Sequence, residues 1–196
     1  MTEDLFQDEA GATPLTHEEK LGLLPSYITR RSELNEVEQI NITEGERWAF
    51  NRSRDVLDEE FLRDLHRRMF GKVWRWAGDY SKERDRRIGS DNYMIPIDLR
   101  ALMGEVQAWI NLDSFPRDEI ALRFHHRLTQ IHPFPNGNGR FSRMAADLLI
   151  TRLGGDRFTW GSVNLVDASA TRHAYIETLQ AADKHAMEPL LDFARS

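Results

Sequence analysis

The break HPFPNGNG at residues 132–139 constrains this chain more than any other feature. Upstream of it Ile120, Phe124, Leu128 and Ile131 recur at the spacing of one helical face. Downstream a helical pattern resumes at Arg140 and continues to Leu153, where Gly154 and Gly155 stop it. Two prolines and two glycines continue neither helix, so the backbone must leave one and be fed into the next within a few residues. The predicted core is therefore a helix, a tight loop and a helix.

The rest of the chain reads the same way. Thr16 and Glu19 make a capping-box pattern for a short helix closed by Pro25. A second helix is expected over 32–51, with Leu34, Val37, Ile40 and Trp48 on one side. Asp58 can cap a third, with Phe61, Leu62, Leu65, Met69 and Phe70 inward and Gly71 at its end. Further helices are predicted over 98–112, 116–131, 169–185 and 188–194, the one from Pro116 with proline in its first turn. Between them, charged residues and the turn formers Gly89, Ser90 and Asp91 are flanked by Ile88 and by Met94 with Ile95, which predicts a small hairpin. The fold class is all-α with that hairpin added. At 196 residues and 40% apolar content, one core is the expectation. The first 19 residues hold six acids and no Lys or Arg, and 1–30 reads as an arm and a short helix ahead of the domain at 31–196.

Composition narrows function mainly by exclusion. With 26 Lys and Arg against 32 Asp and Glu, the net charge of −6 argues against a protein that coats nucleic acid. The sequence has no cysteine, so thiolate nucleophiles, disulfides and Cys-ligated metals are out. No long apolar run or signal-like start is visible, and the expectation is a cytoplasmic protein without membrane contact.

The loop carries the chemistry. Successive glycines let consecutive N–H groups point into one concavity, and the N-terminus of the following helix adds partial positive charge, so the natural occupant is an anion. Arg140 and Arg143 both project from the first turn of that helix, and two guanidiniums suit a polyphosphate. His132 at the opposite lip is the one loop side chain able to take a proton near neutral pH. A bare Asn-Gly-Asn-Gly turn needs no function beyond joining two helices. A plain turn has no use for the histidine and the two arginines.

HPFPNGNGR resembles the signature of the Fic family: HPF, any residue, Asp or Glu, GN, Gly or Lys, then Arg. Eight of nine positions agree. GNGRFSR supplies a second arginine like that of nucleotide-transferring members, and LHRRMFGKVWRWAG resembles the family's first core helix and its exit. Within the family, SELNEVEQ and IHPFPNGNGR look most like the group called mobile mystery protein B. The resemblance implies a helical core, a β-hairpin flap at 86–96 over the motif loop at 132–140, and transfer of AMP from ATP, with Mg²⁺, to a hydroxyl of a target protein. His132 would be the base and Phe134 the anchor of the loop. Gly137, Asn138 and Gly139 would hold phosphates through backbone and amide donors, with Arg140 and Arg143 on the β- and γ-phosphates.

Asn136 stands where the family has its Mg²⁺-binding carboxylate; an amide oxygen can coordinate a cation but adds no charge. Gly139 departs from the related Doc group, which carries Lys there and transfers phosphate, so AMP transfer is the implied reaction. A catalytically weak nucleotide- or partner-binding module, a phosphotransferase and a remover of AMP stay open. Implied partners are ATP, a target protein docked by the flap through Ile88, Met94 and Ile95, and an antitoxin-like regulator.

Three other features of the sequence bear on function. His125 and His132 stand roughly 10 Å apart along a helix, too far to share Zn²⁺; His125 and His126 are expected to be one packed and one partly exposed residue. Trp74 and Trp76 are expected in the core. Glu44, in the helix 32–51, projects from its apolar side and needs a cation, and Gly45 beside it signals a close approach of another segment. In many Fic proteins an inhibitory helix carries such a Glu followed by Gly, bound to the second motif arginine. That resemblance implies that Glu44 restrains Arg143, although Ile40 replaces the family's Ser or Thr.

Overall fold

The Asp58 carboxylate accepts the Phe61 N–H at 2.8 Å and starts a helix that ends at Gly71. The same local logic recurs along the chain. The computed structural model describes residues 16–51, 54–82, 89–161 and 168–196. Its helices are α1 (His17–Lys20), α2 (Arg31–Phe50), α3 (Glu59–Phe70), α4 (Ile95–Asn111), α5 (Arg117–Ile131), α6 (Asn138–Arg152), α7 (Ala168–Asp183) and α8 (Glu188–Arg195). Thr16 and Glu19 form the expected capping box on α1.

The centre is the pair α5 and α6, joined by the motif loop. Phe124, Phe134 and Phe141 are fully buried there, and Phe134 and Phe141 meet edge to face with centroids 5.0 Å apart. Truncating Phe141 to Ala would cost about 3–5 kcal/mol, the usual scale for removing a core phenyl ring. Around this pair α2 packs on α3, α7 on α8, and α4 on α5. Gly45 makes the first contact close: a Cβ there would lie 2.9 Å from the Met69 nitrogen, so the expected approach is α2 against the backbone of α3.

The buried side of α2 differs from the apolar stripe read in the sequence. Ile40 is 57% exposed, while Leu34, Glu38, Asn41, Ile42, Gly45 and Ala49 face inward. The polar members are buried because each has partners. Asn41 donates to the Arg68 carbonyl and accepts from the Lys72 N–H, both at 2.9 Å, which ties α2 to the end of α3.

The hairpin expectation is corrected. Among the described residues there is no strand, only an isolated antiparallel bridge between Leu23 and Trp74. Met94 is the N-cap residue of α4, and Ile95 is its first residue and fully buried. Pro96 in the first turn needs no N–H partner, so the helix begins three residues before the expected Asp98. Met94 and Ile95 are therefore not a docking strand, and Ile88 lies outside the described residues. No helix among them is long and apolar enough to cross a membrane.

Candidate active site

His132 is the C-cap residue of α5 and takes left-handed backbone angles, φ 52° and ψ 58°, which a non-glycine residue adopts at a cost. Its N–H donates to the Leu128 carbonyl at 3.0 Å. The residues on either side of it are tethered as well. Ser90 N–H donates to the Ile131 carbonyl at 3.0 Å, and Ser81 N–H to the Pro133 carbonyl at 2.9 Å. The half-buried imidazole thus stands on a backbone held from both ends.

Beyond it Phe134 drops into the core, stacked on His66 with centroids 3.8 Å apart. Asn138 closes the loop around it: its Oδ1 accepts the Phe134 N–H at 3.0 Å and its Nδ2 donates to the Phe134 carbonyl at 2.7 Å. The Asn138 side chain is buried and both its ends are used. The expectation that its side-chain amide contacts phosphate is corrected, and its backbone N–H remains for that task. Gly137 has φ 78°, and a Cβ there would meet the Phe70 ring at 2.7 Å, so only glycine fits. Helix α6 starts at Asn138, two residues before the expected Arg140, which places the backbone of 138 to 140 in its first turn.

The arginines of that helix differ. Arg140 lies 4.9 Å over the Phe70 ring, and its Nη1 donates to Glu38 Oε2 at 2.7 Å. Arg143 donates from Nε to the Gly139 carbonyl at 3.3 Å and lies 5.3 Å over the Tyr175 ring. Burial lowers its pKa, offset in part by Tyr175 and Asp147, and no ion pair among the described residues joins it to a carboxylate. The Arg143 guanidinium is thus partly buried and held by a carbonyl and a ring face, surroundings that suit an anion.

Glu44 is also corrected. It pairs with Lys72 Nζ at 2.5 Å on a partly exposed surface, and no ion pair among the described residues joins it to Arg143. The α2 carboxylate at the motif is Glu38, 4% exposed, which also accepts the Trp74 Nε1–H at 2.6 Å. Leu34 lies one turn earlier on the same face, so helical spacing could have found Glu38. His66 was missed too, although it shares a face with Leu62 and Phe70. Its pKa is pushed down to about 3, chiefly by burial.

Trp74 is buried as expected and stacks on the half-buried Trp76. His125 and His126 are both buried, the second paired with Asp183 at 2.8 Å, so neither is the partly exposed residue expected. No group of three His, Cys, Asp or Glu able to hold a metal occurs among the described residues. At the loop, Asn136 Oδ1 already accepts the Gly137 N–H at 2.6 Å, and Glu38 is engaged by Arg140 and Trp74. That donor set, with no carboxylate to spare, does not fit a resident Mg²⁺ site.

The chain resembles known proteins in sequence and in fold. Residues 56–150 match the model of the Fic/DOC family. The chain is 30% identical over 142 residues to a protein adenylyltransferase Fic from Culex quinquefasciatus, which covers 71% of this chain but 27% of that protein. It thus spans about a quarter of that relative's length. The fold matches the ADP-bound N-terminal Fic domain of a VirB-translocated Bep effector from Bartonella quintana, with TM-score 0.66, 21% identity, and 91% and 94% of the two chains covered. It also matches the AMPPNP-bound BepC protein of Bartonella tribocorum, with TM-score 0.66, 19% identity, and 92% and 97% covered. With its HPFPNGNGR loop on the turn between α5 and α6 and its residues 56–150 matching the family's model, this chain carries a domain of the Fic/DOC family.

Proposed function

We propose that this protein is a nucleotidyltransferase that moves AMP from ATP to a hydroxyl of a target protein. The observation that carries this reading is the convergence at one loop of a tethered histidine, a glycine-rich helix N-terminus and two arginines, one of them with no carboxylate partner in reach among the described residues. The related adenylyltransferases and the nucleotide-bound Fic domains support it.

The triphosphate would lie over the amides of Gly137 to Arg140, with Arg140 and Arg143 on its β- and γ-phosphates. The target oxygen would approach in line with the α-phosphorus while His132 takes its proton. The bond from the α-phosphorus to the bridging oxygen breaks, and pyrophosphate leaves with its charge held by the arginines. Arg140 must leave Glu38 to take part, so Glu38 restrains the resting site in the role expected of Glu44. ATP use and the lack of cysteine fit a cytoplasmic place of action.

Asn136 favours a second reading, a module that binds nucleotide and transfers it poorly. Incubation with α-labelled and γ-labelled ATP and a cell lysate, beside His132→Ala, separates the two. Retained α-label that depends on His132 supports AMP transfer. Label from the γ position means phosphate transfer, and nucleotide binding with no labelled product means the binding module.

A further inference from the structure

The His66 ring can hold its proton on only one nitrogen. Gly78 N–H points at Nδ1 at 3.0 Å, and an amide N–H can only donate, so Nδ1 accepts. The neutral ring therefore carries its proton on Nε2, which donates to the Asn136 carbonyl at 3.0 Å. Burial, which holds the ring pKa near 3, keeps it in this state, and the stack on Phe134 fixes its plane. Gly78, with φ 85°, stays in place in turn because Arg63 Nε donates to its carbonyl at 3.0 Å.

The consequence lies on the far side of the 136–137 peptide. The C=O and N–H of a trans peptide point in opposite directions. With the Asn136 carbonyl drawn inward to a fully buried ring, the Gly137 N–H is turned outward to the half-exposed face of the loop. There it meets Asn136 Oδ1, a neutral oxygen in the place that an anion's oxygen would take. We infer that His66 is a positioning residue which, through the Asn136 carbonyl, sets the 136–137 peptide so that the Gly137 amide faces the triphosphate. This rests on the proposed function for the identity of the ligand, and on geometry alone for the direction of the peptide.

The test uses the full chain, with ATP as the probe. In the wild type, ring nitrogen resonances should report a neutral Nε2–H tautomer at neutral pH; an Nδ1–H tautomer overturns the proposal without any variant. His66→Phe keeps an aromatic ring against Phe134 but removes both polar atoms, while His66→Gln restores a donor at the reach of Nε2. His66→Phe should weaken ATP binding at least about tenfold, the scale of a lost buried hydrogen bond with its reoriented donor, and His66→Gln should recover most of it. KM for ATP should rise with kcat nearly kept, as expected for an interaction made equally in ground and transition states. The Gly137 amide resonance should move in the Phe variant and return in the Gln variant. Wild-type ATP affinity in His66→Phe, or a loss that His66→Gln does not repair, reduces His66 to core packing. If His66→Phe fails to fold, the ring tautomer and the ATP affinity of His66→Gln decide. A wild type that binds no ATP sinks the functional reading instead, and the tautomer and the Gly137 amide still judge His66.

Discussion

Glu38 and Arg140, 102 residues apart in sequence, are joined at 2.7 Å, with the carboxylate almost fully buried and the guanidinium partly exposed. The same carboxylate accepts from Trp74, so it is held from two sides on the helix facing the motif. A triphosphate must compete with it for Arg140. Glu38→Gln keeps an acceptor for Trp74 and removes the charge, and it should raise both ATP affinity and AMP transfer several-fold. Glu38→Ala would do the same at a cost of about 1–3 kcal/mol for the orphaned indole N–H. Glu44→Ala, which loses only the partly exposed pair with Lys72, should change stability by less than about 1 kcal/mol and leave transfer unchanged. Isothermal titration with ATP and α-label incorporation check all three; higher transfer from Glu44→Ala than from Glu38→Gln would reverse the assignment.

His132 and Arg140 should fail in different ways. His132→Ala should abolish transfer with ATP affinity retained, because the imidazole acts on the target hydroxyl. Arg140→Ala should weaken ATP binding by about 1.5 kcal/mol, the lower end for a hydrogen bond to a charged group, because the Glu38 competition that Arg140 faces in the wild type holds the loss to that end. Equal ATP affinity in Arg140→Ala would remove it from the phosphate site.

Asn136→Asp supplies the carboxylate that the loop lacks. The substituted side chain should confer divalent-cation binding measurable with Mn²⁺ before ATP is added, and raise transfer in Mg²⁺. A fall in transfer with folding intact would mean that the amide, which accepts from Gly137 N–H, is the adapted choice.

The buried histidines make stability fall in acid. His66 and His125 have folded pKa values near 3 against an ordinary 6.5, both from burial. Above 6.5 each ring is neutral in both states and its contribution is complete. As pH falls from 6.5 toward 3, unfolding takes up a proton at each ring, and stability drops by about 1.4 kcal/mol per pH unit per ring. His125→Gln should lose one ring's share of that slope in urea unfolding followed across the window. An unchanged slope would mean that His125 is already protonated in the folded protein.

Much of this was legible in local sequence. The capping box at Thr16, the Asp58 cap, the stop at Gly71 and the apolar stripe of α5 all depend on groups within a turn or two of each other. The motif loop was legible for the same reason: prolines, glycines and the arginines of the following turn act on adjacent backbone. The hairpin failed because Met94 and Ile95 are apolar in either reading, and Pro96 with the core beneath Ile95 favoured a helix. Spacing from Leu34 could place Glu38 on the inner face of α2 but could not rank it above Glu44, which also lies near the apolar side.

What the sequence by itself determined is the helical frame, the place of the anion-binding loop and the chemical types on it, because short-range sterics and hydrogen bonding decide those. Only the tertiary structure decided which carboxylate meets Arg140, that the Asn138 side chain is spent on Phe134, and that His66 reaches across from α3 to the Asn136 carbonyl. The first and last of those contacts join segments far apart in the chain, the Asn138–Phe134 pair spans only four residues, and in each the partners are selected by which polar groups are buried together and must satisfy one another.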